Sequence, residues 1–254
     1  MTDDTSRLAH PFGIDFGGSG IKGAPVNLST GEFAADRTRV ETPKGGRPAD
    51  VAEVIASLVS KGAADGAPIG ITVPGVVVRG VVKSAANIDR SWIYTDAATM
   101  FRERLHRDVV VVNDADAAGL AEARYGAARG QQGLVVVTTL GTGIGTALVY
   151  DGTLVPNSEL GHLEIDGKDA ESEAANSVRE RKNLSWEKWA QRLTRYYRTL
   201  ERLLSPDLFV VGGGVSKHAD KFLPLLTVDT PIVPATLRNT AGIVGAAVVA
   251  TESS

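Results

Sequence analysis

Two segments of this chain follow one plan. GIDFGGSGIKGA (13–24) and TTLGTGIGTALV (138–149) each read as an apolar strand, a dense cluster of glycines and a second apolar strand. Glycines this dense inside a strand pattern weaken it unless something approaches the backbone closely. The first segment contains Gly18-Ser-Gly-Ile-Lys-Gly23, a literal match to the dinucleotide-binding pattern. That turn must lead from a strand into a helix whose amino end carries the pyrophosphate. Here it leads into APVNLSTGE, where Pro25 and the turn residues oppose a helix. A Walker A loop needs Gly-Lys-Ser/Thr, and this chain has Ile-Lys-Gly. What remains is a hairpin whose backbone N–H groups face a phosphate, the glycines permitting close approach and positive φ.

In that reading Gly17, Gly18, Ser19 and Gly20 cradle donor phosphate, and Lys22 adds a point charge. Asp15, at the strand end, suits Mg²⁺ held through water. An ordinary glycine-rich hairpin with a solvated lysine has the same local pattern. The second copy shifts the balance, because Gly141, Thr142 and Gly143 supply a second loop for the same phosphate chain. A third cluster, VVGGGVS (210–216), ends a strand at a helix start, so Gly213 and Gly214 suit a nucleotide base or another part of the donor.

Around these loops the pattern is strands first, then a helix, then the same order again. PADVAEVIASLVSKGA (48–63) has helical spacing, with Val51, Val54, Ile55 and Leu58 on one face. GVVVRGVVKSA (75–85) is a hairpin candidate, residues 96–106 are helical, and residues 166–204 read as helical and charged. With 254 residues, 43% of them apolar, the chain can bury a full core as one large domain or two lobes. The net charge of −3 argues against general nucleic-acid binding. The chain has no cysteine, so disulfides and thiolate metal sites are excluded. No apolar run reaches the ~18 residues of a spanning helix, and MTDDTSRLAH is unlike a signal peptide. The expectation is a cytoplasmic protein with no membrane partner.

VVVVNDADAAG (109–119) places Asn113 and Asp114 at the end of a buried strand, where ligands sit in α/β folds. A carboxylate there can take the proton of a hydroxyl attacking phosphorus. Asn113 can bond vicinal sugar hydroxyls, Asp116 is a competing carboxylate, and helix capping is the alternative role of the pair. In PNSELGHLEIDGKDAE (156–171), Glu159, His162, Glu164 and Glu171 are candidates to converge on a polyhydroxyl ligand. A metal site or a solvated loop are the other readings of that composition.

IDFGGSGIKGA, GITVPGVV, VVVVNDADAAGLAE, LGTGIGTALV, ELGH, VVGGGVS and TAGIVGAA occur in the order of the ROK family of sugar kinases, and the resemblance spans residues 12–250. It implies the α/β actin/hexokinase-like ATPase fold, with two ribonuclease H-like lobes around a cleft that closes on the sugar. Residues 1–113 would form the N-terminal lobe, with 241–254 returning to it, and 114–240 the C-terminal lobe. Asp114 matches the catalytic base, and Asn113, Glu159 and His162 match sugar ligands. Glu171 matches the glutamate after the family's zinc motif, and Asn87 in AANIDRSW is a lesser sugar-site candidate. Many members carry cysteines after the Gly-His pair. Here IDGKDAESEAANS stands in that place, so no zinc is expected. The first loop begins at residue 13, which leaves no room for a preceding helix-turn-helix.

The segment from NSVRERKNLSWEKWAQRL onward resembles the branch of the family that uses inorganic polyphosphate and often ATP. Lys188, Arg192, Arg195, Arg198 and Arg202 recur every three or four residues, which lines them along one side of a helix. Such a stripe suits a polyanion, and a solvated helix face has the same pattern. The resemblance thus implies a homodimeric kinase moving phosphate from polyphosphate or ATP to the 6-hydroxyl of glucose with Mg²⁺. An ATP-only kinase for glucose, mannose or fructose and a non-catalytic sugar sensor are the alternatives.

Overall fold

The structure is a computed structural model describing residues 10–85 and 88–252. It divides into two compact units: residues up to Ala117 together with those from Gly242 on, and Ala118–Ala241.

The first unit opens with β1 (Phe12–Gly17), β2 (Gly20–Asn27), β3 (Glu32–Phe33), β4 (Thr38–Val40) and α1 (Pro48–Gly62). It continues with β5 (Ile69–Val73), the hairpin β6 (Val77–Val78) and β7 (Val81–Val82), α2 (Ala97–Leu105), β8 (Val109–Asn113) and the start of α3 (Asp114–Tyr125). Its sheet has the order β3-β2-β1-β5-β8, with β4 also on β2. β1 and β2 are antiparallel, whereas β1, β5 and β8 are parallel. β3 and β4 both pair with β2 as short antiparallel strands. One face is closed by Val51, Ile55 and Leu58 of α1 with Phe16, Trp92 and Phe101.

The second unit holds β9 (Leu134–Leu140), β10 (Ile144–Tyr150), β11 (Thr153–Val155), β12 (Glu164–Ile165), β13 (Lys168–Asp169), α4 (Ala170–Ala174), α5 (Asn176–Arg181) and α6 (Trp186–Leu204). Then follow β14 (Leu208–Gly212), α7 (Ala219–Phe222), β15 (Ile232–Pro234) and α8 (Ala241–Glu252), the last joining the first unit from Gly242. The sheet order β11-β10-β9-β14-β15 repeats that of the first unit, a hairpin followed by two parallel strands. Strand alternation divides the core: Val136 packs with Trp189, Leu193 and Tyr197 of α6, while Val135 and Val137 pack on the other side with Ala147 and Val149.

Residues 166–204 are not helical throughout. The chain first turns at Asp166-Gly167, both with positive φ, as a two-residue hairpin between β12 and β13. The helices α4, α5 and α6 follow. α6 is amphipathic, with Trp189, Leu193, Tyr196, Tyr197 and Leu200 buried and Ser185 capping its amino end. α8 is built of small residues because its backbone lies directly on its neighbours. Gly13 faces the Ile243 carbonyl, Gly70 that of Ala246, and Gly245 that of Ala117. No helix among the described residues is long and apolar enough to cross a membrane.

Candidate active site

In the first unit β1 ends at Gly17 and β2 begins at Gly20, so Gly18 and Ser19 form a two-residue turn. Gly20 has no positive φ. A Cβ there would lie 2.8 Å from the Arg39 Nε, so a larger residue would have to displace the Arg39 side chain. The Arg39 guanidinium crosses the turn and donates to the Ser19 carbonyl at 3.0 Å, and Thr42 Oγ1 donates to the Gly17 carbonyl at 2.6 Å. Lys22 Nζ donates to Asp15 Oδ2 at 2.8 Å, with Asp15 only 19% exposed in its side chain. The N–H groups of Gly18 and Ser19 are not spent on any acceptor among the described residues.

The same unit carries the acid–amide pair at the junction of β8 and α3. Asn113 is buried and caps α3, its Oδ1 accepting from Ala115 at 2.8 Å and Asp116 at 3.0 Å. Its Nδ2 donates to the Gly75 carbonyl at 3.0 Å, which leaves one amide hydrogen for a ligand. Asp114 is partly exposed at the first turn of α3, whereas Asp116 is 1% exposed. Of the two carboxylates, Asp114 is the one open to solvent.

In the second unit Gly141, Thr142 and Gly143 link β9 to β10, and neither flanking glycine has a positive φ. The loop is held through its carbonyls: Ser177 N donates to Gly141 O at 3.0 Å and Ser177 Oγ to Thr142 O at 2.6 Å. Glu171 Oε2 accepts from Ile144 N at 3.0 Å. The N–H groups of Thr142 and Gly143 are likewise unspent among the described residues. Gly213, at φ 83°, ends β14 against the backbone of Leu140, and Gly214 stands in open space.

Glu159 precedes and His162 ends a 3-10 turn (Leu160–His162) that is tied to β10 by Leu160 N donating to Thr146 Oγ1 at 3.1 Å. His162 Nε2 stands 3.8 Å from Glu159 Oε2, and its Nδ1 stands 4.0 Å from Glu171 Oε1 and 2.9 Å from Asp169 Oδ2. The Asp169 hydrogen bond, helped by the charges of Glu171 and Asp169, raises the His162 pKa above its ordinary value. Burial raises that of Glu159, against the opposing pull of His162. Glu164 is exposed on β12 and has no ion pair among the described residues. His162, Asp169 and Glu171 also form the one group among the described residues whose side chains could jointly hold a metal. Asn87 lies outside the described residues.

The α6 stripe is less free than its sequence implies. Lys188, Arg192, Arg195, Arg198 and Arg202 do leave the buried face, but Arg192 pairs with Glu173 at 2.9 Å and Arg195 with Asp166. Arg198 donates to the Thr227 carbonyl at 2.7 Å. Lys188 and Arg202 have no ion pair among the described residues.

Three residues with clear roles here escaped sequence reasoning. Arg39 and Thr42 lie some twenty residues from the loop they brace, and no local pattern ties them to it. Asp169 was signalled by the Asp166-Gly167 turn, which folds it back beside His162.

The sequence pattern of the ROK family matches residues 11–176. The chain is 53% identical over 247 residues to a polyphosphate glucokinase of Mycobacterium tuberculosis (strain CDC 1551 / Oshkosh), covering 97% of this chain and 93% of that one. It superposes on the inorganic polyphosphate/ATP-glucomannokinase of Arthrobacter sp. strain KM with a TM-score of 0.94 and 54% identity, over 97% of this chain and 100% of that one. A ROK family glucokinase from Streptomyces griseus, solved with glucose and AMPPNP, shares the fold at a TM-score of 0.82 and 24% identity, over 95% and 99%. Two sheets of one topology, each opening on a glycine hairpin, are the actin/hexokinase-like ATPase fold, and the chain belongs to the ROK family.

Proposed function

We propose that this protein is a glucokinase that moves a phosphoryl group from inorganic polyphosphate, and also from ATP, to the 6-hydroxyl of glucose. What carries the reading is one conjunction: a reachable acid at a strand's carboxyl end and two glycine turns with unspent amides, in a chain 53% identical to a polyphosphate glucokinase. Asp114 takes the hydroxyl proton as the sugar oxygen bonds to the terminal phosphorus. The bridging P–O bond breaks, and the shortened polyphosphate, or ADP, leaves. The amides around Gly18, Ser19, Thr142 and Gly143, with Lys22, stabilise the charge on the moving group. Gly17, Gly20, Gly141, Gly213 and Gly214 shape the donor's seat.

Asn113, Glu159, His162 and Glu171 are the proposed sugar ligands, with Asn87 as a lesser one. Asp15 fits Mg²⁺, being a hard oxygen donor at a strand end with oxygen capacity beyond its bond to Lys22. When bound, the ion would offset the negative charge of the donor. On α6, Lys188 and Arg202 are the cations best placed to meet a long polyphosphate, because Arg192 and Arg195 already hold carboxylates. The homodimer implied by the family resemblance is a further expectation, for sedimentation to check.

Coupled assays with glucose and either ATP or long-chain polyphosphate test the reading. Turnover with both is expected. Turnover with ATP alone discards the polyphosphate donor, and turnover with neither leaves a sugar-binding protein without kinase activity.

A further inference from the structure

We propose that Asp169 is a positioning residue for His162: it accepts the Nδ1 proton, fixes the tautomer and plane of the ring, and so presents Nε2 as an acceptor for a hydroxyl of the bound sugar. The inference rests on the sugar-kinase reading of the site, and its first readout is independent of that reading.

The chain builds this pair locally. Asp166 (φ 52°) and Gly167 (φ 72°) make a two-residue turn that sets Asp169 opposite Glu164, two positions from His162. Ala170 N closes the ladder onto the Leu163 carbonyl at 3.0 Å. Asp169 is itself held. Its Oδ1 caps α4 by accepting from Ser172 N at 3.1 Å, and its carbonyl accepts from Ser172 Oγ at 2.7 Å. Its other oxygen, Oδ2, is left for His162 Nδ1 at 2.9 Å.

No second group competes for the ring. Glu171 is 4.0 Å from Nδ1 with its other oxygen on Ile144 N, and Glu159 is 3.8 Å from Nε2. Both distances exceed a hydrogen bond, so Asp169 is the ring's hydrogen-bond partner among the described residues. Which nitrogen of a histidine carries the proton is set by the bond the other nitrogen makes. A carboxylate accepts only, so Nδ1 must donate. The neutral ring then has its lone pair on Nε2, the nitrogen whose neighbour is the sugar-ligand candidate Glu159.

The informative variant is Asp169→Asn, because asparagine caps a helix about as well as aspartate. It brings one oxygen where the carboxylate had two. With that oxygen on Ser172, its amide donates to Nδ1 and drives the proton to Nε2. Long-range ¹H–¹⁵N correlation spectra of histidine-labelled protein read the tautomer directly, and with four histidines in the chain His162 is assignable from His162→Gln. At a pH above the raised His162 pKa, where the ring is neutral, the expected results are an Nδ1–H ring in the native protein and an Nε2–H ring in Asp169→Asn. The glucose KM should rise by about ten- to a hundredfold in Asp169→Asn, by analogy with removing a partner that orients a metal-ligating histidine. The donor KM should stay within twofold.

An Nε2–H ring in the native protein would overturn the proposal. So would a native glucose KM in Asp169→Asn alongside a raised one in His162→Gln. So too would one equivalent of tightly held divalent metal that is lost in Asp169→Asn and whose chelation reproduces the KM change. If no sugar is phosphorylated at all, the kinase reading fails, and the spectra still decide whether Asp169 sets the ring.

Discussion

The two glycine hairpins share a topology and divide the chemistry. The β1–β2 turn is charged: Asp15 and Lys22 sit on facing strands, and Arg39 lies across the turn. The β9–β10 loop carries no charged residue of its own and is pinned from behind by Ser177 and Glu171. One fold unit, used twice, carries charged side chains on its first copy and none on its second, while both turns keep unspent backbone N–H groups among the described residues. The difference teaches that the same glycine plan can be surrounded by different neighbours, and under the proposed function those neighbours set what each loop does with the donor.

Substitutions can sharpen or break this contrast. Asp114 belongs to neither hairpin, and Asp114→Asn should lower kcat by about 10²–10⁴-fold with ATP and with polyphosphate alike, while glucose binding by calorimetry survives. Near-normal turnover would remove Asp114 from its role as base. Next in size is the charged hairpin. Asp15→Asn should cost roughly ten- to a hundredfold in kcat/KM for the donor, the worth of a charge-assisted contact, and should raise the Mg²⁺ concentration needed for half-maximal rate. Thr142→Val on the uncharged loop should cost only about two- to tenfold, the worth of a neutral hydrogen bond, with no change in Mg²⁺ demand. Equal losses at Asp15 and Thr142, or an altered Mg²⁺ demand in both, would erase the division of labour.

The smallest effect concerns stability. The folded-state pKa of His162 lies above the ordinary value of about 6.5 because Asp169 favours the charged ring. The stabilisation from this pair is therefore full below that ordinary value and fades as pH rises through the raised one. Urea midpoints of the native protein and Asp169→Asn should differ more at pH 5.5 than at pH 8.5, and a constant difference would mean that only the cap was lost.

Most of the frame was legible in the sequence because it rests on period and punctuation. Pro25 excluded the dinucleotide turn, and the repeat at 138–149 announced the second sheet. The apolar residues of the 186–202 stretch, Trp186, Trp189, Leu193 and Tyr196, mark one helix face, of which Trp189, Leu193 and Tyr196 are buried and Trp186 only partly so. The errors have physical causes. The hairpin at 164–169 was hidden because strands of two residues have no period to detect, and its one signal, Asp166-Gly167, sat inside a charged run. The glycines of the first hairpin were read as permitting positive φ, yet Gly17 and Gly20 do not adopt it, and the nearest neighbour of Gly20 is the Arg39 guanidinium. The α6 stripe was read as open cation surface because a helical wheel cannot see Glu173 and Asp166, which reach it from other elements.

The seating of α8 also fixes an order of events during synthesis. Gly13, Gly70 and Ala117 meet backbone from residues 243–246, so the first unit cannot complete its core until those residues have been made. Residues 118–241 form one compact unit from an unbroken stretch of chain. The half made second is thus the half able to finish first. The half made first must wait, its apolar strands uncovered, for a closure of high contact order, and that is the stage at which aggregation competes with folding.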